Sequence, residues 1–253
     1  MPGVTGGRPG RVGFGIDIGG TGMKAAPVDL DTGALCAERF RIDTPQPATP
    51  EAMAPVVKAL VEHFAWTGPV GAAMPTVVRH GLVFSAANIH KSWIGTDADA
   101  LFTNATGCDV AVVNDADAAG VAEITFGAGR GRRGVVLVLT FGTGIGSGMF
   151  VDGHLVPNTE LGHLQIDGHD AEDRAAASAR KREGLSWEQW AGRVNVYLTE
   201  VVKLFSPELI ILGGGASKRA DNWVPLLDVD TEVVVAAMAN NAGIVGAALQ
   251  APG

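Results

Sequence analysis

Sulfur, aromatic surface and charge are all scarce in this chain. Two cysteines, Cys36 and Cys108, in 253 residues cannot form a disulfide framework, and neither has a partner at metal-ligand spacing. A reducing cytoplasm is the expected setting. Apolar runs such as Val135 to Phe141 are strand-sized, far short of the roughly 18 residues needed to cross a bilayer. No membrane anchor is expected. The stretch Met1 to Arg11 is Gly, Pro and Arg without the apolar segment of a secretory signal, and reads as a tail. Charged residues make up only 18% of the chain, and 27 acidic against 19 basic side chains leave a net charge of −8. That balance gives no overall attraction to nucleic acid or to anionic membranes. Any polyanion must be held by a local patch.

Glycine, by contrast, is abundant. Its 35 residues fall in short clusters with no collagen-like period. With 47% hydrophobic residues, the chain has enough apolar matter for a folded core, and its length suits one large domain or two small ones. The first ordered run, Val12 to Ile18, reads as a strand ending at Gly19-Gly20-Thr21-Gly22. Met23 to Leu30 returns antiparallel, and after the Asp31-Thr32-Gly33 turn Ala34 to Ile42 supplies a third strand. A Pro-rich link, Thr44 to Pro50, leads into a helix from about Glu51 to Phe64, followed by a strand at Val70 to Met74. The middle is irregular until Val110 to Val113, a β-branched run that ends at Asn114-Asp115 and opens an Ala-rich helix to about Phe126.

After the linker Gly127 to Gly134 the opening theme recurs: strand Val135 to Leu139, turn Gly142-Thr143-Gly144, strand Ile145 to Val151. Two such hairpins suggest a duplicated fold. Ser186 and Gln189 form a capping box for a helix carrying Trp190, Val194, Tyr197, Leu198, Val201 and Leu204. Leu209 to Leu212 is a buried-strand candidate running into Gly213-Gly214-Gly215, and Asn240 to Leu249 a terminal helix. The class is α/β.

Chemistry concentrates at the two glycine corners. Their bare backbone leaves N–H groups unobstructed, which suits a phosphate chain. The spacing fits neither a Walker loop nor a dinucleotide fingerprint, because the chain returns as a strand. Asp17, beside the first corner, can hold a magnesium ion through its waters or simply accept hydrogen bonds within the turn. Asp115, at a strand-to-helix junction, is a candidate general base for an attacking alcohol. Capping the helix is its other reading, which Asn114 or Asp115 alone would satisfy.

Across Asp17 to Lys24, Val113 to Asp117, Leu139 to Gly146 and Glu160-Leu161-Gly162-His163, the chain resembles the ROK sugar kinases of the actin-like, hexokinase and Hsp70 superfamily. Within them it is similar to the kinases that phosphorylate glucose with polyphosphate, through Gly15 to Lys24, Leu139 to Ser147, Glu160 to Asp173 and Leu209 to Lys218. The resemblance implies a duplicated ribonuclease H-like fold with two α/β domains around a cleft, 1–114 joined by a C-terminal helix over 240–253, and 115–239. It makes Asp115 the catalytic base. It assigns glucose to Asn88, Asn114, Asp115, Glu160, His163 and Glu172, the last of which otherwise reads as a solvated helix start. Carboxylates, amides and imidazole together can fix the several hydroxyls of one hexose.

Phosphate contacts fall on Gly19, Gly20, Thr21, Gly22 and Lys24 at the first corner and on Thr140, Gly142, Thr143 and Gly144 at the second. The nucleotide falls on Gly213, Gly214 and Gly215. Many ROK proteins carry a cysteine-rich zinc segment after this histidine, whereas Gln165 to Asp173 contains no cysteine, so zinc is not expected; the expected metal is the magnesium that Asp17 can hold beside the phosphates. Polyphosphate calls for cations along an exit groove; Arg130, Arg132, Arg133, Lys181, Arg182 and Lys218 are candidates, each with a solvated surface as its other reading. The implied activity is transfer of phosphate to the 6-hydroxyl of glucose from polyphosphate and from ATP, as in carbohydrate metabolism, by a homodimer. A strictly ATP-dependent hexose kinase, a sugar-sensing repressor and a filament subunit are the alternatives. The repressor would need a DNA-reading helix pair, and about 11 residues precede the first strand.

Overall fold

The computed structural model describes residues 11–87 and 89–253; the tail Met1 to Gly10 and the sugar candidate Asn88 lie outside the described residues. The chain divides into two compact units, one running up to Val113 and including Gly243–Gly253, the other Asn114–Ala242.

In the first unit, β1 (Val12–Ile18) and β2 (Gly22–Asp29) form the opening hairpin, with Asp17 opposite Lys24. β3 (Phe40–Asp43), α1 (Pro50–His63), β4 (Val70–Met74), the short pair β5 (Val78–Arg79) and β6 (Leu82–Val83), α2 (Ala98–Thr106) and β7 (Val110–Asn114) follow. The sheet order is β3-β2-β1-β4-β7, antiparallel across the first three strands and parallel from β1 to β4. Helix α1 starts where Thr49 accepts the N–H of Ala52 at 3.3 Å, with proline as the first helical residue, a position that wastes no donor. Its Met53, Val57, Leu60 and Val61 are buried against the sheet with Phe14 and Ile16. Gly15 and Gly71 are glycine because the backbone of the terminal helix lies against them: a Cβ would strike the carbonyls of Ile244 and Ala247.

The second unit carries α3 (Asp115–Thr125), β8 (Val135–Phe141), β9 (Ile145–Val151), β10 (His154–Val156), the short pair β11 (Gln165–Ile166) and β12 (His169–Asp170), α4 (Ala171–Ala175), α5 (Ala177–Glu183), α6 (Trp187–Phe205), β13 (Leu209–Gly213) and β14 (Val233–Val235). Helix α7 (Ala242–Leu249) begins at its end. The order β10-β9-β8-β13-β14 repeats the first sheet's plan, an antiparallel hairpin trio followed by a parallel strand. The capping box of Ser186 and Gln189 opens α6. Under the sheet, Phe141 meets Trp190, Tyr197 and Trp223 edge-on, at centroid distances of 5.7 to 6.3 Å. Among the described residues, no helix is long and apolar enough to cross a membrane.

Two expectations need correction. The third strand begins at Phe40 rather than Ala34: Leu35 pairs with Val28 of β2 only as an isolated antiparallel bridge, through Asp29 N–H to Ala34 O and Cys36 N–H to Pro27 O, and the chain bends after it before pairing resumes. The irregular middle contains α2, which Asp97 caps through the N–H of Ala100 and Gly107 ends at φ 75°.

Candidate active site

In the second unit, the strand-to-helix junction at Asn114 organises the site. Asn114 is the helix cap: its Oδ1 accepts the N–H groups of Ala116 at 2.8 Å and Asp117 at 3.0 Å. Capping therefore falls to the amide, and Asp115 is the first helical residue, half-buried. The start of α3 sits against the second glycine corner. A Cβ on Gly146 would lie 2.7 Å from Thr140 Oγ1 and 2.9 Å from Ala116 Cβ, so glycine there lets the helix approach the hairpin.

Asn114 also reaches across the site. Its Nδ2 donates to Glu160 Oε1 at 3.5 Å, and Glu160 Oε2 lies 3.9 Å from His163 Nε2. The segment bearing Glu160 is fastened on both sides. Ser147, buried on β9, donates to Thr159 O at 2.6 Å and accepts the N–H of Leu161 at 2.9 Å, while Asp117 accepts the N–H of Asn158 at 2.7 Å. Burial pushes the Glu160 carboxyl up, opposed by His163 and reinforced by Glu172.

His163 is oriented by Asp170, whose Oδ2 accepts from Nδ1 at 2.7 Å, leaving Nε2 on the Glu160 side. The same bond holds the imidazole above its ordinary pKa, against the opposing effect of burial. Glu172 is no solvated helix start: its Oε2 accepts the N–H of Ile145 at 3.0 Å. A Cβ on Gly144 would strike that carboxylate, and one on Gly162 would lie 3.2 Å from it. Asn114, Asp115, Glu160, His163 and Glu172 are thus linked through α3, β9 and one strap, with Asp117, Ser147 and Asp170 holding them. The spacing of single residues carried no signal for those three, because each acts on a group distant in sequence.

The corner itself is tied from behind. Ser178 gives its N–H to Gly142 O at 3.0 Å and its hydroxyl to Thr143 O at 2.5 Å. Because the carbonyl and N–H of a trans peptide point oppositely, the N–H groups of Thr143 and Gly144 turn away from Ser178. In the first unit the other corner shows the same device: Gly19 O accepts from Thr44 Oγ1 at 2.5 Å, Gly20 O from Gln46 at 3.3 Å and Thr21 O from Arg41 at 2.8 Å. Asp17 Oδ2 lies 3.3 Å from Lys24 Nζ, both partly exposed. A single carboxylate beside an ammonium suits a hydrated cation carried in with phosphate rather than a bare one. Among the described residues, no group of three or more His, Cys, Asp or Glu is arranged to hold a metal.

These features have counterparts in known proteins. The sequence pattern of the ROK family matches residues 13–178. The polyphosphate glucokinase of Mycobacterium tuberculosis is 51% identical over 240 residues, covering 94% of this chain and 91% of its own. This chain belongs to the ROK family. The crystal structure of an inorganic polyphosphate/ATP-glucomannokinase from Arthrobacter sp. strain KM superposes with a TM-score of 0.91 at 54% identity, over 94% of this chain and 97% of that one. A ROK glucokinase from Streptomyces griseus, 24% identical, shares the fold with a TM-score of 0.79 over 95% and 99% of the two chains. The fold is accordingly the actin-like duplicated α/β fold of the ROK kinases.

Of the remaining ROK-derived candidates, Gly213 ends β13, and Gly214, at φ 76°, packs on the Phe141 backbone and accepts from Ser217 Oγ at 2.8 Å. Gly215 opens a 3-10 turn. Arg130, Arg133, Lys181 and Lys218 are exposed. Arg132 is engaged by Glu232, and Arg182 by Asp173 O at 2.7 Å and Glu183 at 3.0 Å. Outside the candidate set, Arg180 lies over the Trp187 ring at 3.6 Å.

Proposed function

We infer that this chain is a kinase that transfers a phosphoryl group from inorganic polyphosphate, and from ATP, to the 6-hydroxyl of glucose. The observation that carries the reading is the linked set Asn114, Glu160 and His163 beside Asp115, in a chain half identical to a polyphosphate glucokinase. Glu160, His163, Glu172, Asn114 and Asn88 hold the sugar hydroxyls. Asp115 takes the proton of the 6-hydroxyl as its oxygen bonds phosphorus, and the bond from phosphorus to the bridging oxygen breaks, leaving a chain one phosphate shorter, or ADP. The backbone of Thr140, Gly142, Thr143 and Gly144, and that of Gly19 to Gly22 with Lys24, bind phosphate oxygens. Gly213 to Gly215 accommodate the adenosine of ATP. Magnesium, when bound, neutralises phosphate charge, and Asp17 is the residue to hold its waters.

The exposed cations Arg130, Arg133, Lys181 and Lys218, with Arg132 and Arg182 at its rim, line the path of the polymer. The enzyme works in the cytoplasm as a homodimer and takes no zinc. A coupled glucose 6-phosphate assay with each donor tests the reading. Turnover with polyphosphate and with ATP is expected, and Asp115→Asn should lose orders of magnitude in kcat while still binding glucose. Turnover with ATP alone would reduce the chain to an ATP-dependent hexose kinase.

A further inference from the structure

Asp117 lies two residues beyond Asp115 with 2% of its surface exposed. Its Oδ2 accepts the Asn158 N–H at 2.7 Å, whereas Oδ1 is buried and has no hydrogen-bond partner among the described residues. A buried carboxylate oxygen without a partner is costly. Helix α3 does not require it, since Asn114 already provides the cap and the neighbours Ala116 and Ala118 are buried alanines. Asp117 does close a ring. Its own N–H reaches Asn114 Oδ1, Asn114 Nδ2 reaches Glu160 Oε1, and the chain runs back from Glu160 to Asn158, which Asp117 holds.

We propose that Asp117 is a positioning residue for the sugar acceptor: it pins the Asn158 to Glu160 strap to the start of α3, and its own protonation sets the charge beside Asp115 and Glu160. The proposal rests on the roles inferred above for those two carboxylates. The ionisable groups acting on Asp117 are Asp115 on its own helix and Glu160 on the strap; β8 and β9, which pack on α3, carry none. Burial lifts the Asp117 carboxyl to about 7, with the Asn158 N–H opposing and the two neighbouring carboxylates adding to the rise. Above that pH an ionised Asp117 makes Asp115 more basic, so kcat should climb through neutrality.

The test is the pH dependence of glucose phosphorylation by the full chain, with polyphosphate and with ATP, for wild type, Asp117→Asn and Asp117→Ala. Asparagine keeps an acceptor for Asn158 N–H but cannot ionise, so the rising limb near pH 7 should vanish with both donors. Alanine drops the strap, so the KM for glucose should rise about tenfold, the loss of one buried hydrogen bond, with donor KM unmoved; asparagine should recover most of that rise. A limb that survives in Asp117→Asn overturns the proposal, as does an Asp117→Ala enzyme with unchanged glucose KM or with donor KM raised in step. Should circular dichroism show the alanine variant unfolded, the asparagine profile decides alone. A wild-type enzyme that does not phosphorylate glucose, or an Asp115→Asn variant that keeps its turnover, would instead overturn the functional reading on which the proposal stands.

Discussion

Asn114 and Glu160, 46 residues apart, meet side chain to side chain at 3.5 Å. The amide that caps α3 through its oxygen therefore uses its nitrogen to hold a carboxylate from a distant strap. The start of α3 and the distant Glu160 carboxylate are both held by one residue.

The two tasks of Asn114 can be separated. Asn114→Asp keeps a capping oxygen but sets a buried carboxylate against Glu160, so at low pH, where it is neutral, thermal stability should hold, while at higher pH the like charges should raise the KM for glucose and lower stability. Asn114→Ala loses both, at about 1 kcal/mol for the cap, and should lower the melting temperature as well. Calorimetry beside steady-state kinetics distinguishes them, and equal behaviour of the two variants would contradict the double role.

Gly144→Ala should displace Glu172, because the new methyl group strikes its carboxylate and competes with the bond to Ile145 N–H. A raised glucose KM with a lowered melting temperature is expected. Gly142→Ala meets nothing within 4 Å, so its melting temperature should match wild type. If both alanines melt alike, Glu172 is not held as described.

The hydrogen bond to the Asp170 carboxylate is the largest cause of the rise in the His163 pKa. In Asp170→Asn the imidazole, followed by NMR, should titrate closer to its ordinary value near 6.5. Because a raised histidine pKa favours the folded state only while the ring is protonated, the pair's contribution is complete below about pH 6.5 and lost as pH rises through the His163 value. The substitution should then cost more stability at pH 5.5 than at pH 9. A loss independent of pH would mean that the bond is not charge-assisted.

Reversal of Arg130 and Arg133 to glutamate should weaken long polyphosphate more than ATP, and more steeply at low salt. These two are exposed, whereas Arg132 is engaged by Glu232, so reversal at Arg132 would also break that surface ion pair. Equal losses with both donors would remove the cluster from the polymer's path.

Much of the architecture was legible because its causes are local. Strands Val12–Ile18, Val70–Met74 and Ile145–Val151 keep the bounds that their residue patterns indicate, and the capping box at Ser186 forms as its spacing requires. Residues 36–39 and α2 escaped because the chain bends after the single Leu35–Val28 bridge, and because the weak periodicity of Leu101, Phe102 and Ala105 gave little signal for a helix that the Asp97 cap starts.

What the sequence alone determined is the set of features that depend on neighbours along the chain: alternation, the two glycine corners, the Ser186 capping box, and through their order the membership in a kinase family. Tertiary structure alone decided which acids are buried, which backbone groups they accept and which pKa values move. Glu172 could be read as a solvated helix start until it met Ile145 N–H, and Asp117 was one of several acids until burial and Asn158 set it apart. The reason is physical: desolvation and hydrogen-bond partners come from residues distant in sequence, and no spacing along the chain records them.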